Sequence, residues 1–337
     1  MKKLILVLTA FAAFTSCSKD EVVDKPTAQA ITFDNVFVEN STRAAYDASY
    51  TKSKLSEFEV YGTINNGTET ANIFNQEKVE LNSGLWKYDE AKTQYWIPGN
   101  SYNFAAIVDG NISDVTEVVT DANFMPTKIN VYDASQQKDI LYAANNVGLY
   151  NGGAVSPVAF TFDHLLSKAK FTVKNTIETN SGYSYKVSNI TITGAIANGV
   201  YDIASQTWSA ADEPETYNLS FGNAVTTATE AGAAADFIGF GQSKESNFER
   251  LIVPTFAEDD DQKTTVKVSF TREYFYNEVS IRSEVNTLSV DVQLLAGRAY
   301  NFVVKLGNPG EPIEFTVNEV NNWDTNHAGY TPGVDMK

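Results

Sequence analysis

Nearly every periodic stretch of this chain has a period close to two. Phe58-Glu-Val-Tyr-Gly-Thr-Ile64, Tyr102-Asn-Phe-Ala-Ala-Ile-Val108, Lys170-Phe-Thr-Val-Lys174 and Asn189-Ile-Thr-Ile-Thr193 set the pattern. Thr265-Val-Lys-Val-Ser-Phe270, Val290-Asp-Val292 and Tyr300-Asn-Phe-Val-Val-Lys305 continue it. Side chains alternate across a strand, so this spacing gives each segment one buried and one solvated face. The β-branched and aromatic content, with Gly, Asn and Asp punctuation, predicts antiparallel strands. Helical spacing is confined to a turn or two near His164–Lys168, and no solenoid-length repeat occurs. One-faced sheets must be stacked to bury that face. The expectation is therefore an all-β chain of two tandem antiparallel β-sandwich domains.

The length of 337 residues suits two domains, and 43% hydrophobic with 12% aromatic residues supplies two cores. The loop Asn145–Pro157, rich in Gly and Asn, is the expected boundary, giving sandwiches over 44–155 and 156–337. Twenty-five basic against 42 acidic residues leave a formal charge of −17. That balance argues against nucleic acid as a partner and against electrostatic binding to anionic lipid. Residues 1–43 carry about as many acidic as basic groups, so a shorter mature form keeps the excess of negative charge.

At the N-terminus, Lys2 and Lys3 precede the apolar run Leu4–Phe14. The run is shorter than the roughly 20 residues that span a bilayer, and reads as a secretory signal over residues 1–16. Thr15-Ser16-Cys17 then has the form of a bacterial lipobox, although Phe14 stands where Leu is usual. Cys17 is the only cysteine, and lipidation explains a lone thiol in an exported chain. Ser18-Lys19-Asp20-Glu21 resembles the acidic export tag of Bacteroidetes lipoproteins. A multiply acylated cysteine, at about 0.8 kcal/mol per buried methylene, anchors a protein almost permanently.

Signs of catalysis are few. The two histidines are His164, inside Phe160-Thr-Phe-Asp-His-Leu-Leu, and His327, in a polar tail. The first reads as a packed, hydrogen-bonded imidazole and the second as solvated. Nucleophile elbows, zincin helices, phosphate loops and dinucleotide fingerprints are all missing from the sequence. A glycosidase needs only a carboxylate pair, which spacing in an all-β chain cannot reveal. Glu258-Asp-Asp-Asp261 lacks the alternating ligands and central glycine of a calcium loop and reads as a solvated hairpin between Leu251–Phe256 and Thr264–Phe270. No catalytic residue, metal or cofactor is assigned.

Arg43 lies in the polar segment Asn40-Ser-Thr-Arg-Ala-Ala-Tyr46, just after Ala30-Ile-Thr-Phe-Asp-Asn-Val-Phe-Val38, which reads as a strand. Such exposed, small-residue tips are where proteases cut. By itself Arg43 also reads as an ordinary surface arginine.

Several segments, in this order, resemble the fimbrillins of Bacteroidales, lipoprotein precursors of type V pili. They are the lipobox, the first strand with Thr42-Arg43-Ala44, and Gly84-Leu-Trp-Lys-Tyr88 leading to Tyr95-Trp-Ile-Pro-Gly-Asn-Ser-Tyr-Asn-Phe-Ala-Ala106. Asp139-Ile-Leu-Tyr-Ala143, Phe160–Phe171, Gly297-Arg-Ala-Tyr-Asn-Phe302 and Ile313-Glu-Phe-Thr-Val317, ending at Trp323, complete the set. The resemblance implies transthyretin-like sandwiches and export to the outer membrane as a lipoprotein held through Cys17. It also implies cleavage between Arg43 and Ala44 by an arginine-specific maturation protease, removing 17–43 as a propeptide. The lost strand carries Ile31, Phe33, Val36 and Val38, and its departure opens a groove that a strand of another fimbrial subunit fills. The product is then an extracellular fimbrium whose ligand is a host protein or glycan.

Ile313, Phe315, Val317 and Val320 alternate and then slip phase by one residue, as the first strand does. They are the candidate donor strand, although short β-strands commonly look alike. The tail after Trp323 is polar and broken by Gly and Pro, which makes it a poor donor and favours a tip or accessory subunit over a stalk subunit. Two other readings compete. One is a surface-anchored carbohydrate-binding lipoprotein using Trp86, Tyr95 and Trp96. The other is an envelope glycosidase.

Overall fold

Alternating side chains become alternating burial in the computed structural model, which describes residues 28–34, 36–38, 55–178, 181–221, 226–227, 237–238, 243–245, 249–254 and 263–320. Twenty-two strands form among them. The first nine are β1 (Phe37–Val38), β2 (Glu57–Asn65), β3 (Thr70–Asn82), β4 (Leu85–Lys87), β5 (Asn100–Val108), β6 (Thr116–Thr120), β7 (Pro126–Val131), β8 (Leu141–Tyr150) and β9 (Thr161–His164). Five more follow: β10 (Ser167–Asn175), β11 (Tyr183–Ile196), β12 (Gly199–Asp202), β13 (Thr207–Ser209) and β14 (Thr216–Ser220). Then come β15 (Thr226–Thr227), β16 (Phe237–Ile238), β17 (Ser243–Glu245), β18 (Arg250–Ile252), β19 (Thr264–Tyr276), β20 (Val279–Val292), β21 (Ala299–Leu306) and β22 (Glu314–Val320). The helical elements described are two single 3₁₀ turns, Glu90–Lys92 and Ala134–Gln136. The chain is all-β.

A seven-stranded sheet runs in the order β1-β9-β8-β5-β2-β3-β4. One face buries Phe58, Val60, Phe74, Tyr102, Phe104, Phe160 and Phe162 in an aromatic core. Crowding there explains Gly62, since a Cβ at that position would lie 2.9 Å from the Phe74 ring. The opposite face presents Tyr61, Ala105 and Ile107 to the four-stranded sheet β13-β12-β7-β6, which contributes Ile129, Val131, Tyr201 and Trp208. Trp208 Nε1 donates to the Leu165 carbonyl at 2.8 Å. Asn145–Tyr150, expected as part of a loop, belong to β8; because β7 pairs with β12, the chain returns across the remaining connection of residues 151–157, and β9, beyond it, still belongs to the first sheet.

The remaining core lies between β17-β10-β21-β22, with β18 also on β10, and β16-β15-β11-β19-β20, with β14 also on β11. Three features depart from the sequence pattern. His164–Lys168 is not helical; it spans the end of β9 and the start of β10. Residues from Phe162 to Val173 are buried almost without a break, so the alternation of Lys170–Lys174 in the sequence is not an alternation of burial. Strand β10 is accordingly covered on both faces, with Lys168 1% exposed and its Nζ 3.1 Å from Glu249 Oε2. It also pairs in parallel with β21. The segment 258–261 itself lies outside the described residues, but its flanks do not form the expected hairpin. Strand β18 belongs to the β10 sheet and β19 to the β11 sheet, so the connection crosses between layers.

At one end of this sandwich a polar cluster ties β20 to β19. Glu284 Oε1 accepts from Arg272 Nη2 at 2.6 Å and from the Tyr274 hydroxyl, and Arg272 and Arg282 lie 4.5 and 4.1 Å from the Tyr274 ring centroid. The hydrogen bond from Tyr274, with Arg272 assisting, holds the Glu284 carboxyl down to about 2 from its ordinary 4.5. A depressed carboxyl stabilises the fold fully above its unfolded range, and that contribution is lost as pH falls through about 2. Glu284→Gln should therefore lower the unfolding midpoint at neutral pH and narrow its gap to the parent between about pH 5 and pH 2. Denaturant titrations across that range check this; parallel curves at every pH would refute it.

Candidate assembly site: the segment that closes the first sheet

Residues 29–38 complete the seven-stranded sheet by touching both of its ends. On one side, Phe37 and Val38 of β1 pair in parallel with Thr161 and Phe162 of β9, and Phe33 bridges Val158. On the other, Phe33 bridges Trp86 of β4 and Ala30 bridges Tyr95, both antiparallel. Strands β9 and β4 thus share one neighbour, the segment 29–38, and the sheet closes on itself.

Backbone hydrogen bonds fasten both edges. The Ile31 N–H donates to the Gln94 carbonyl at 2.8 Å, and the Trp96 N–H to the Gln29 carbonyl at 2.9 Å. Across the segment, the Val158 N–H donates to the Thr32 carbonyl at 2.8 Å, and the Asp34 N–H returns to the Val158 carbonyl at 3.1 Å. Side chains add two fixings. Tyr88 donates its hydroxyl to the Ile31 carbonyl at 2.9 Å. The Gln29 amide both donates to the Val155 carbonyl, at 2.7 Å, and accepts from the Val155 N–H, at 3.1 Å.

The segment's inner side chains are Ile31, Phe33, Val36 and Val38, all buried in the aromatic core. Phe33 is their centre. Its ring lies within 5.7 to 6.4 Å of the Phe58, Phe74, Tyr88, Phe104 and Phe160 rings, edge-on to the first four and stacked on the last. Full burial of four such side chains is worth on the order of 6–12 kcal/mol gross, before ordering costs. The phase slip between Phe33 and Val36 has a register cause. From Phe33 opposite Val158 to Phe37 opposite Thr161, four steps on the segment face three on its partner. One extra residue forms a bulge and returns Val36 and Val38 to the inner face.

The candidate donor residues occupy a different place. Strand β22 is the edge of its sheet and pairs with β21 along its whole length. Ile313 and Phe315 pack against the C-terminal core, Phe315 stacking on Phe302 at 6.2 Å, and Val317 is buried. Val320 pairs opposite Ala299. Cys17, Arg43, Ala44, Trp323 and His327 lie outside the described residues. His164 is buried with its Nδ1 3.0 Å from Asp139 Oδ1. Of the aromatics considered for sugar stacking, Trp96 is 4% exposed and packed edge-on against Tyr102, Trp86 is half-buried against Phe58, and Tyr95 is exposed. Among the described residues no group of three or more His, Cys, Asp or Glu is arranged to hold a metal ion. None of the helical elements described is long and apolar enough to cross a membrane. Sequence reasoning missed Gln29 and Gln94, whose contribution is made through amide and carbonyl positions that no pattern reveals. Tyr88 was visible only as part of the Trp-Lys-Tyr block.

A family model described as fimbrillin-like matches residues 42–323. A fimbrial protein from Bacteroides vulgatus ATCC 8482 superposes with a TM-score of 0.62 at 13% identity, over 88% of this chain and 100% of that one. Candidate cell adhesion proteins from Bacteroides ovatus ATCC 8483 and Bacteroides uniformis ATCC 8492 give TM-scores of 0.46 and 0.44 at 16% and 14% identity. Each covers 90% of this chain, and 99% and 100% of its own. The likeness to the first is one of fold. No curated protein matches the sequence.

Phe33→Ala removes the ring on which five others converge and leaves a cavity, so the uncleaved chain should lose about 3–5 kcal/mol of stability. Thr32→Ala, at an exposed position on the same segment, should change it little. Equilibrium unfolding of the two variants checks both; equal effects would mean that the segment is not fixed by its inner face.

Proposed function

This chain belongs to the fimbrillin-like family, and from that premise we propose that it is a structural and adhesive fimbrial subunit released for assembly by proteolysis. Membership makes it a surface protein of a fimbrial family, assembling with other subunits. The finer mechanism is our reading. The chain is exported as a lipoprotein on Cys17 and reaches the outer membrane. An arginine-specific protease cuts between Arg43 and Ala44, and the groove vacated by residues 29–38 accepts a strand from another subunit.

One observation carries this reading. The segment that closes the first sheet lies wholly N-terminal to Arg43, with five residues between Val38 and the proposed cut. A cut there severs the closing segment from the body it completes. Its departure uncovers two strand edges, Val158–Phe162 on one side and Trp86 with Gln94–Trp96 on the other, around an aromatic floor. Unpaired edges beside an apolar channel are an acceptor for strand addition. Each ladder bond restored returns roughly 0.5–1.5 kcal/mol. The family match begins at residue 42, so the shared region starts beside the proposed cut. The donor strand is Ile313–Val320 or its counterpart in a different subunit. Freeing β22 breaks the Phe302–Phe315 stack and the Lys305–Glu314 ion pair at 2.7 Å. With its polar tail, that cost favours a tip or accessory position over a repeating stalk.

Intact mass and N-terminal sequencing of protein sheared from the cell surface, beside the membrane-bound fraction, tests the mechanism. The sheared form should begin at Ala44 and the bound form at a lipidated Cys17. Arg43→Ala should leave all of the protein in the bound form and unassembled. Assembly by the Arg43→Ala chain, or a sheared form that retains residues 29–38, would overturn the mechanism.

A further inference from the structure

Asparagine is a chemically labile residue, and most so before glycine, where no side chain shields the next backbone nitrogen. That nitrogen attacks the side-chain Cγ, ammonia leaves, and water opens the resulting succinimide to aspartate or isoaspartate. Three Asn-Gly pairs occur in this chain: Asn66-Gly67, Asn151-Gly152 and Asn198-Gly199. The fold treats them differently.

Two of the pairs are held. Asn66 sits in the turn between β2 and β3, where its Oδ1 accepts from the Thr68 and Glu69 N–H groups at 2.9 and 2.8 Å. The attacking atom is held too, since the Gly67 N–H donates to Asn65 Oδ1 at 2.6 Å. Asn198 is buried. Its Nδ2 donates to the Glu213 carbonyl at 2.8 Å, and its Oδ1 accepts from the Glu215 N–H at 2.9 Å. Gly199 lies in β12, opposite Val131 of β7. Reaction at either pair requires these bonds to break first, so it proceeds only in locally opened molecules.

The third pair is not held. Asn151 and Gly152 are exposed in the connection between β8 and β9. Among the described residues no hydrogen bond involves the Asn151 side chain or the Gly152 N–H. Their flanks are pinned: the Gly99 N–H donates to the Tyr150 carbonyl at 2.7 Å, and the Tyr150 hydroxyl to the Gly153 carbonyl at 2.8 Å. Gly152 has a φ of +93°, and a Cβ there would meet nothing nearer than Pro98 Cγ, at 3.8 Å. Nucleophile, electrophile and water all have room.

We propose that Asn151 is the site at which this protein deamidates while folded, by attack of the Gly152 nitrogen on Asn151 Cγ. Cγ exchanges its amide nitrogen for the Gly152 nitrogen, whose proton leaves with the ammonia. Water then breaks one of the two imide C–N bonds. The product carries a new negative charge, and in its isoaspartyl form the backbone is one methylene longer. Its place gives this a consequence. Val155, four residues on, holds both polar atoms of the Gln29 amide where the closing segment enters the sheet. An aged molecule thus differs from a new one in the loop that receives that segment. The reaction is independent of the cut at Arg43.

Trypsin separates the three pairs into peptides 55–78, 139–168 and 187–244, so one digest reads them all. The full chain, folded and held at mildly alkaline pH, is digested at intervals for mass spectrometry. The Asn-to-Asp mass shift should accumulate in 139–168 at least about tenfold faster than in the other two, because held sites react only on opening. In denaturant all three should react at similar rates. Asn151→Gln, an exposed position where ring closure needs a less favourable six-membered imide, should remove the shift although Asn145 and Asn146 remain in that peptide. A folded chain in which 55–78 or 187–244 keeps pace, or in which 139–168 stays unmodified, would overturn the proposal. So would the same ranking in denaturant, or a shift that survives Asn151→Gln.

Discussion

The first sheet of this molecule cannot close without its N-terminal segment, and much else depends on that closure. Strands β4 and β9 end the sheet proper, and each needs a partner for its outer edge. Residues 29–38 serve both. Burial of Phe33 among five rings couples the two edges, because the ring can be covered only when the backbone on both sides is paired. A buried edge with unmade hydrogen bonds is costly, at about 1–3 kcal/mol for each orphaned group. Loss of the segment by the proposed cut would consequently give an open sheet distinct from the closed one, with little between them. That is the property a proteolytic switch requires.

Alternation made the strands legible because most of them bury one face only. Strands β2, β5 and β19 could be read directly, and so could the four inner residues of the closing segment. The slip from Phe33 to Val36 was visible too, although its cause was not. The bulge belongs to the pairing with Val158 and Thr161, and pairing is not a property of one segment. Where both faces are covered, the alternation misled. Strand β10 buries Lys168 against Glu249, from a distant part of the chain, and reads as an ordinary half-solvated strand. His164, Leu165 and Leu166 looked like a turn of helix because three consecutive positions are buried.

Contacts between sequence-distant segments account for most of what could not be read. The pairing of β7 with β12 carries the chain back across a loop that composition marks as a boundary. The parallel pairing of β10 with β21 places residues 168–175 beside 299–306. Such contacts are fixed by packing of three cores, two of which face opposite sides of one sheet. In the same way, the reciprocal amide contact of Gln29 with Val155 spans 126 residues. Glutamine at that position has no distinguishing neighbour in the sequence, yet it aligns the segment where it enters the sheet.

The bulge also limits which strand can replace the closing segment. Inner positions fall at Ile31, Phe33, Val36 and Val38, with the extra residue after the second. A substitute must carry apolar side chains with that spacing or form its bulge elsewhere. In β22, Phe315, Val317 and Val320 reproduce the first three positions, slip included. In that alignment Val317 takes the place of Phe33, too small to reach five rings, and Asn322 takes the place of Val38. The alignment that starts from Ile313 keeps Phe315 at the centre but turns Asn318 inward at the bulge. Each arrangement leaves either a cavity or a buried amide lacking a designed partner, and both penalties are of the kind that cores tolerate poorly. A strand with an aromatic at the second inner position and β-branched residues at the third and fourth fits better than this chain's own. On steric grounds, then, the proposed acceptor groove fits a different subunit's strand better than this chain's own, and that mismatch is the ground for proposing a position at the end of a fibre.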